Sequence, residues 1–465
     1  MNEFTIELSD KSGKHLYEQI YEYIKREIVE GRMKRSDKLP STRSLSSYLQ
    51  VSRSTVSLAY DQLLAEGYIE SRQGSGFFVS KIDELYQGKM VKTPQIMIEK
   101  KKDNNCSYVF SPTDIDLNEF PYATWKKLTR EVLIEYGNEL FVHGNAQGEE
   151  SLRESIRDYL HASRGVNCLT EQIVIGAGND YLLMLLQLIF SKDNIFAFEN
   201  PTYVKAYKTF MTMGYPVKTV EMDRNGIQIG ALNQSGASIA YVMPSHQYPT
   251  GIVMPIGRRI ELLKWASKED NRFLIEDDYD SEFRYKGKPI PSLQSIDTLG
   301  KVIYLGTFSK AIAPAIRISY MVLPMGLLNI YKEEGTFLSS TVPRMDQRIL
   351  TSFIQNGSFE RYLNRMRKVY REKHDVLVNA LKPFQDMFDI EGENAGLHLL
   401  LRDKSETLEK SLIDRAKEYG VRVYGMSEYQ IDNVNDRTAT IILGYAGLSE
   451  KEIKDGVEQL KKAWL

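Results

Sequence analysis

The stretch LPSTRSLSSYLQVSRSTVSLAYDQLLAEGY, residues 39–68, holds two helix starts, the turn between them and a helix stop. Pro40-Ser41 opens the first helix, with the serine in capping position and Leu45, Tyr48 and Leu49 on its inner face. Val51 marks the turn. Ser52 caps the next helix, whose inner face is Val56, Ala59, Tyr60 and Leu63, and Gly67 ends it. Upstream, Leu16, Ile20, Ile24 and Ile28 recur every fourth residue, which predicts another helix with one buried stripe, stopped by Gly31. Downstream, Tyr68–Val79, with Gly74 and Gly76 in its middle, reads as a strand, a glycine turn and a strand. Residues 1–80 therefore read as an α+β module of three helices and a hairpin wing.

In such a module the third helix is the one that enters a DNA major groove. Its first turn is Ser52-Arg53-Ser54-Thr55. Small hydroxyls let the backbone approach phosphates, and Arg53 can pair bidentately with guanine. Ser41 and Arg43 start the preceding helix, where Arg43 is placed to clamp a phosphate. Gly74 and Gly76 let a wing tip lie close to a groove. The same helical pattern also suits a protein–protein module. Between Lys25 and Arg53, eight basic residues (Lys25, Arg26, Arg32, Lys34, Arg35, Lys38, Arg43, Arg53) stand against three acidic ones (Glu27, Glu30, Asp37). A helix surface can carry that excess for solubility alone. The net charge of the chain, −2, decides nothing about nucleic acid.

At 465 residues the chain exceeds one ordinary core, so two or more domains are expected. Its 42% hydrophobic and 26% charged content fit a globular protein in water. Two cysteines, Cys106 and Cys168, have no metal-ligand spacing. A reducing compartment is expected, without a disulfide framework or a metal. The opening MNEFTIELSD has neither a basic flank nor an apolar run, which argues against a signal peptide. The longest apolar stretch, residues 181–190, is too short to cross a bilayer and reads as a buried helix. A cytoplasmic protein without membrane contact follows. Residues 81–106, with Lys100-Lys101-Lys102 and little periodicity, read as a linker. From 107 to 465, helical stretches alternate with β-rich runs at Ile173-Val174-Ile175, Ile195–Phe198, Ala240–Met243, Phe273-Leu274-Ile275 and Val302–Leu305. That alternation predicts an α/β body with a largely parallel sheet.

Two further motifs lie in the body: IEDDYD, residues 275–280, and GTFSKAIAPAIR, residues 306–317. A lysine set among hydroxyls, with an acidic residue upstream and an arginine downstream, suits pyridoxal 5'-phosphate. That cofactor needs an amine for its aldehyde, a carboxylate for its ring nitrogen, a donor for its ring oxygen, an aromatic stacking partner and a phosphate cradle. Lys310 has Thr307 and Ser309 beside it and Arg317 two helical turns on. Asp277 falls at the end of a strand, where α/β sites are built, although an acidic cluster there also suits a solvated loop. Gly176–Asp180 follows a strand and opens a helix, so its backbone N–H groups can cradle a phosphate; tight packing would use the same glycines. Tyr203 follows a strand and suits either stacking or core.

Residues 15–80 resemble a GntR-type winged helix-turn-helix along almost the whole of the quoted stretch and the aromatic-valine end of the wing. Ser46-Ser47 stands where that family more often has alanine. From about residue 107 onward the chain resembles the fold-type I aminotransferases, an α/β fold with a small α+β C-terminal subdomain. The combination is similar to the MocR/GabR family of regulators. Segments typical of that family are Phe120-Pro121…Trp125, Gln147-Gly148…Leu152-Arg153, Pro244–Gly251 and Ala395-Gly396-Leu397-His398. The resemblance implies that Lys310 forms a Schiff base, Asp277 pairs with the ring nitrogen, Tyr279 bonds the phenolate oxygen and Tyr203 stacks. It implies that Thr307, Ser309, Arg317 and the Gly178-Asn179 turn hold the phosphate.

Two departures matter. Aminotransferases place an asparagine on the cofactor's oxygen where this chain has Tyr248. The GABA-sensing branch has an arginine where this chain has Lys205, which supplies charge without a bidentate fork. Lys205 and Arg422 are the expected effector-binding residues, with Arg437 the rival to Arg422; a strand-edge charge is the plainer reading of Arg422. The implied function is a transcriptional regulator that binds a double-stranded DNA operator. It senses an amino acid or amine through an aldimine at Lys310, or the cofactor itself. A homodimer is implied, with room for each head to lie against the other subunit's body. The alternative is a functional aminotransferase with an appended DNA-binding head.

Overall fold

The computed structural model describes residues 6, 8, 13–81, 106–285, 289–392, 395–405, 407–432 and 439–465. They fall into two compact units, Met1–Asp103 and Asn104–Leu465. The expected linker at 81–106 lies outside the described residues except at its two ends, and so does Arg437.

In the first unit, α1 (Leu16–Val29), α2 (Thr42–Leu49) and α3 (Arg53–Ala65) precede a hairpin of β1 (Ile69–Arg72) and β2 (Gly76–Val79). The hairpin is antiparallel, with Arg72 opposite Gly76 across the turn. Ser41 Oγ accepts from the Ser44 amide and Ser52 Oγ from the Thr55 amide, both at 3.1 Å, so both expected caps form. Ile20, Ile24, Ile28, Leu45, Val56, Ala59, Tyr60, Leu63, Ile69 and Val79 make one core. Tyr60 donates to the Pro40 carbonyl at 2.9 Å and meets Phe77 of the wing edge-on. One inner-face expectation fails: Tyr48 is 62% exposed. The buried face of α2 runs through Leu45, Ser46 and half-buried Leu49. At 100° per residue, Tyr48 points well to one side of that face.

The second unit begins with β3 (Tyr108–Val109) and is built on an eight-stranded sheet. Its strands are β4 (Ile173–Gly176), β5 (Phe196–Asn200), β6 (Val217–Asp223), β7 (Gly226–Ile227), β8 (Ile239–Val242), β9 (Phe273–Asp278), β10 (Val302–Thr307) and β11 (Ser319–Val322). They lie in the order β4-β11-β10-β9-β8-β5-β6-β7. The run β6-β5-β8-β9-β10 is parallel. β11 is antiparallel to both of its neighbours, and β7 folds back on β6. The sheet is therefore mixed, with β11 a strand that the β-rich runs did not announce. β4, β5 and β8 are buried almost throughout, as strands covered on both faces must be.

The apolar run at 181–190 is helical only in part. An α-helix covers Asn179–Leu185, and a 3-10 turn, Leu186–Leu188, follows. Met184 is 47% exposed because it points away from the core that Leu182, Leu183 and Leu186 enter. The C-terminal part carries a second sheet of β12 (Phe388–Glu391), β13 (His398–Asp403), β15 (Tyr424–Gly425) and β16 (Thr440–Gly444), in the order β12-β13-β16-β15. β14 (Val421–Arg422) pairs instead with β3. Helices Glu409–Glu418 and Glu450–Trp464 pack on this sheet, which is the expected α+β subdomain.

Candidate functional site

Parallel strands put their C-terminal ends on one edge, and the loops there converge. Gly178 follows β4, Tyr203 follows β5, Asp277 is the last residue but one of β9 and Lys310 follows β10. The acidic run is not a solvated loop. Glu276 is fully buried and accepts the Leu293 and Gln294 amides at 2.7 and 2.9 Å. Asp278 is buried and accepts from Arg164 Nε at 2.8 Å and from the Tyr304 hydroxyl at 2.5 Å.

Asp277, 3% exposed, accepts from Asn179 Nδ2 at 3.2 Å and from the Tyr241 hydroxyl. Burial pushes its carboxyl up to about 6, while those two donors pull it down. The side-chain oxygen of the same amide, Asn179 Oδ1, is buried without a partner. Asn179 thus bonds through its side chain to Asp277, where the sequence suggested a contact through the turn's backbone. Tyr241 was not foreseen. It sits in an apolar strand 36 residues from Asp277, and only the pairing of β8 with β9 brings the two together.

Lys310 is partly buried in the short helix Phe308–Ala311. Its Nζ donates to the Pro112 and Thr113 carbonyls at 3.1 and 2.7 Å. Burial lowers its pKa to about 8, against the attraction of Asp280 and Asp114. Thr307 caps the same helix by accepting the Ser309 amide at 3.1 Å, and it also accepts from the Ser319 hydroxyl at 2.8 Å. Arg317, at φ +52, donates to the Ala177 carbonyl at 3.0 Å and to Asp180 at 3.3 Å. Gly178, at φ +91, leaves room for that guanidinium; a Cβ there would overlap it.

Aromatic rings form one wall. Tyr248 meets Tyr203, Tyr279 and Tyr429 edge-on at 6.3, 5.5 and 5.1 Å, and donates its hydroxyl to that of Tyr429 at 3.0 Å. The Tyr279 hydroxyl lies 3.0 Å from His246 Nδ1. Lys205 is exposed two residues after Tyr203. Arg422 is exposed on β14 with its guanidinium over the Tyr424 ring at 5.3 Å. Among the described residues, no hydrogen bond or ion pair joins the Lys205 or Arg422 side chain to the groups around Asp277 and Lys310.

These groups suit pyridoxal phosphate. A buried carboxylate with an orphaned amide oxygen beside it can face the ring nitrogen. An amine of lowered pKa can meet the aldehyde, and a glycine-lined arginine can meet the phosphate.

On the head, Ser41, Arg43, Ser52, Arg53 and Ser54 are exposed and Thr55 is half-buried. The Ser54 and Thr55 hydroxyls both turn to Ser52 Oγ, at 2.7 and 2.8 Å, and Arg53 Nε reaches Thr42 Oγ1 at 3.4 Å. Gly74 and Gly76 both take positive φ at the wing tip. Of the eight clustered cations, Lys25 pairs with Glu66, and Arg32 with Glu27 and Glu30. Among the described residues, Arg35, Lys38, Arg43 and Arg53 make no ion pair.

Residues 16–79 match the family described as bacterial regulatory proteins, gntR family, and residues 113–460 match aminotransferase class I and II. YdeL of Bacillus subtilis (strain 168), described as an uncharacterized HTH-type transcriptional regulator, is 41% identical over 97% of this chain and 96% of its own. The probable rhizopine catabolism regulatory protein MocR of Rhizobium meliloti is 31% identical over 97% and 94%. The pyridoxine biosynthesis transcriptional regulator PdxR of Corynebacterium glutamicum is 32% identical over 88% of each chain. Among solved structures, an archaeal alanine:glyoxylate aminotransferase superposes with a TM-score of 0.70 at 25% identity, covering 77% of this chain and 90% of that one. Among the described residues, no helix is long and apolar enough to cross a membrane.

Proposed function

Because the chain belongs to the MocR-like family of HTH-type transcriptional regulators, which join a gntR-type head to an aminotransferase-like body, we propose that its body binds pyridoxal phosphate and reports on an amine, or on the cofactor itself, to a DNA-reading head. The observation that carries this reading is the meeting of Asp277, Asn179, Lys310 and Arg317 at one sheet edge, in a chain whose α3 presents exposed Arg53 and serine hydroxyls.

When bound, pyridoxal phosphate supplies an aldehyde that condenses reversibly with primary amines. Lys310 is the amine placed for it. With a pKa near 8, a useful fraction of its side chain is free base at neutral pH and can act as a nucleophile. The Asp277 carboxylate, oriented by Tyr241 and Asn179, would serve the ring nitrogen. Tyr203 would stack on the ring, Tyr279 would serve the ring oxygen, and Thr307, Ser309, Arg317 and the Gly178-Asn179 turn would hold the phosphate. The Pro112 and Thr113 carbonyls, which accept from Lys310 Nζ, would hold that amine whenever it is not joined to the cofactor. Lys205 and Arg422 are the cations offered to an effector's carboxylate. Tyr248 spends its hydroxyl on Tyr429, which suits ligand binding better than turnover. The body biases the head by favouring one of two arrangements of the chain.

The reading includes a homodimer in the cytoplasm. Leu133, Ile134, Phe141 and Val142 are 42%, 73%, 78% and 59% exposed on and just after the helix Tyr122–Tyr136, an apolar patch suited to a second copy. The names of PdxR and MocR are those of a vitamin-pathway regulator and a catabolic regulator, in keeping with either kind of signal.

The test is a visible spectrum together with an operator-binding titration. Added pyridoxal phosphate is expected to give an absorbance band that Lys310→Ala loses. An amine panel is expected to change DNA affinity in the wild type and not in that variant. Sustained conversion of an amino donor and an oxo acid above the Lys310→Ala background would shift the reading to an aminotransferase. Absence of any band would remove the cofactor from it.

A further inference from the structure

Beside Lys310 lies a buried pair that the mechanism above does not use. His246 and Asp280 are 5% and 4% exposed. Both Asp280 oxygens face His246 Nδ1, at 3.1 and 2.9 Å. The Tyr279 hydroxyl lies 3.0 Å from that same nitrogen. The imidazole has little freedom to turn. A Cβ on Gly396 would overlap its ring, and one on Gly251 would sit 3.5 Å from Nε2; both glycines take positive φ. The charged and titratable groups facing it are Asp280 and Tyr279 beyond β9 and His398 of β13, whose ring centroid is 5.7 Å away. Arg164 and Arg284 face it across the small cavity they line with it. His398 is tied elsewhere, with Nε2 on the Pro249 carbonyl at 2.8 Å.

A carboxylate on one imidazole nitrogen fixes where that ring keeps its proton. Here it places N–H at Nδ1, directed at Asp280. That nitrogen then cannot accept from Tyr279; its N–H, shared between Asp280 and the phenol oxygen, orients the phenol, and the hydroxyl hydrogen is not taken up by the ring. We propose that His246 is a positioning residue: with Asp280 it holds the Tyr279 hydroxyl in place as a donor toward the ring oxygen of a bound pyridoxal phosphate. This rests on the reading that the site binds that cofactor. In aminotransferase-like bodies the ring oxygen's negative charge sits beside the proton shared with the lysine nitrogen. A donor on that oxygen weakens its hold on the proton, and loss of the donor strengthens it.

The experiment is a pH titration of the visible band of the full-length protein loaded with pyridoxal phosphate. Tyr279→Phe and His246→Leu are each expected to raise the midpoint by about one unit, tenfold in proton affinity. The double variant is expected to go no further, because both remove one donor. His246→Asn, whose amide N–H can still reach Asp280, is expected to restore the wild-type midpoint. An unmoved midpoint in His246→Leu, or additive shifts in the double variant, would overturn the proposal. Nitrogen-15 labelling of histidine in the cofactor-free protein gives a second reading that needs no stable variant: an N–H at Nδ1 is expected for His246, and a ring protonated at Nε2 alone would sink the idea. If the wild type forms no visible band, the cofactor reading itself fails and takes this one with it; a normal band with an unmoved midpoint defeats this one alone.

Discussion

At the scale of the residue, Asp277 feels burial and hydrogen bonding in opposite directions. Its pKa of about 6 lies above the unfolded value of 3.8, so the empty fold binds that proton more tightly than the unfolded chain does. Its contribution to the stability of the empty protein is therefore full below about 3.8 and lost as pH rises through about 6. The proposed cofactor binding would have the opposite sign, because the ring-nitrogen contact calls for the carboxylate, so affinity is expected to grow as pH rises through that window. Tyr241→Phe removes one donor to the charged form. It is expected to move the acid limb of the affinity profile up by about one pH unit, roughly 1.4 kcal/mol. Pyridoxal phosphate titrations between pH 5 and 8 would show it, and an unchanged limb would mean that the Tyr241 contact does not tune Asp277. Lys310 and Asp277 were legible as candidates from neighbouring residues. Tyr241 and His246 were not, because their partners lie 36 and 34 residues away in the chain.

At the scale of the element, the turn from β4 into the helix Asn179–Leu185 does two jobs. It ends a buried strand, and it leaves a hollow that Arg317 fills. Gly178→Ala puts a methyl group where the guanidinium lies, at a φ of +91 that side chains resist. Affinity for pyridoxal phosphate is expected to fall at least about tenfold, or 1.4 kcal/mol, toward that for pyridoxal, which lacks the phosphate. Equal losses for both ligands would place the damage outside the phosphate cradle. The caps at Ser41 and Ser52 were readable because a cap is local: one hydroxyl and an amide three residues on. Tyr48 was misplaced because Leu45, Tyr48 and Leu49 suit one helical face in spacing alone, while the packing of α1 and α3 selected Leu45, Ser46 and Leu49. β11 was missed since a short antiparallel strand in a parallel sheet carries no signal of its own direction.

At the scale of the whole molecule, the net charge of −2 hides a local arrangement. Among the described residues, the head keeps several cations outside ion pairs, while the body buries carboxylates against arginine and phenol partners. The body also exposes Ile134 and Phe141, which a dimer would cover. Ile134→Glu combined with Phe141→Glu is expected to weaken self-association at least about a hundredfold, or 2.7 kcal/mol, read by sedimentation equilibrium. Operator affinity should fall with it, because two linked heads of the proposed dimer would bind two half-sites with a high effective concentration. An unchanged mass distribution would put the subunit contact elsewhere.

The sequence by itself determined what depends on near neighbours: the two units, the caps, the glycine turns, the strand cores and the lysine set among hydroxyls. Each follows from contacts within a few residues or from a periodicity. The tertiary structure alone decided which carboxylate of the acidic run faces Tyr241 and Asn179, which faces Arg164, and which faces His246. Three acidic residues at most three positions apart look alike in a sequence. They differ only in what the neighbouring strands and loops bring against them, and that depends on sheet order and register.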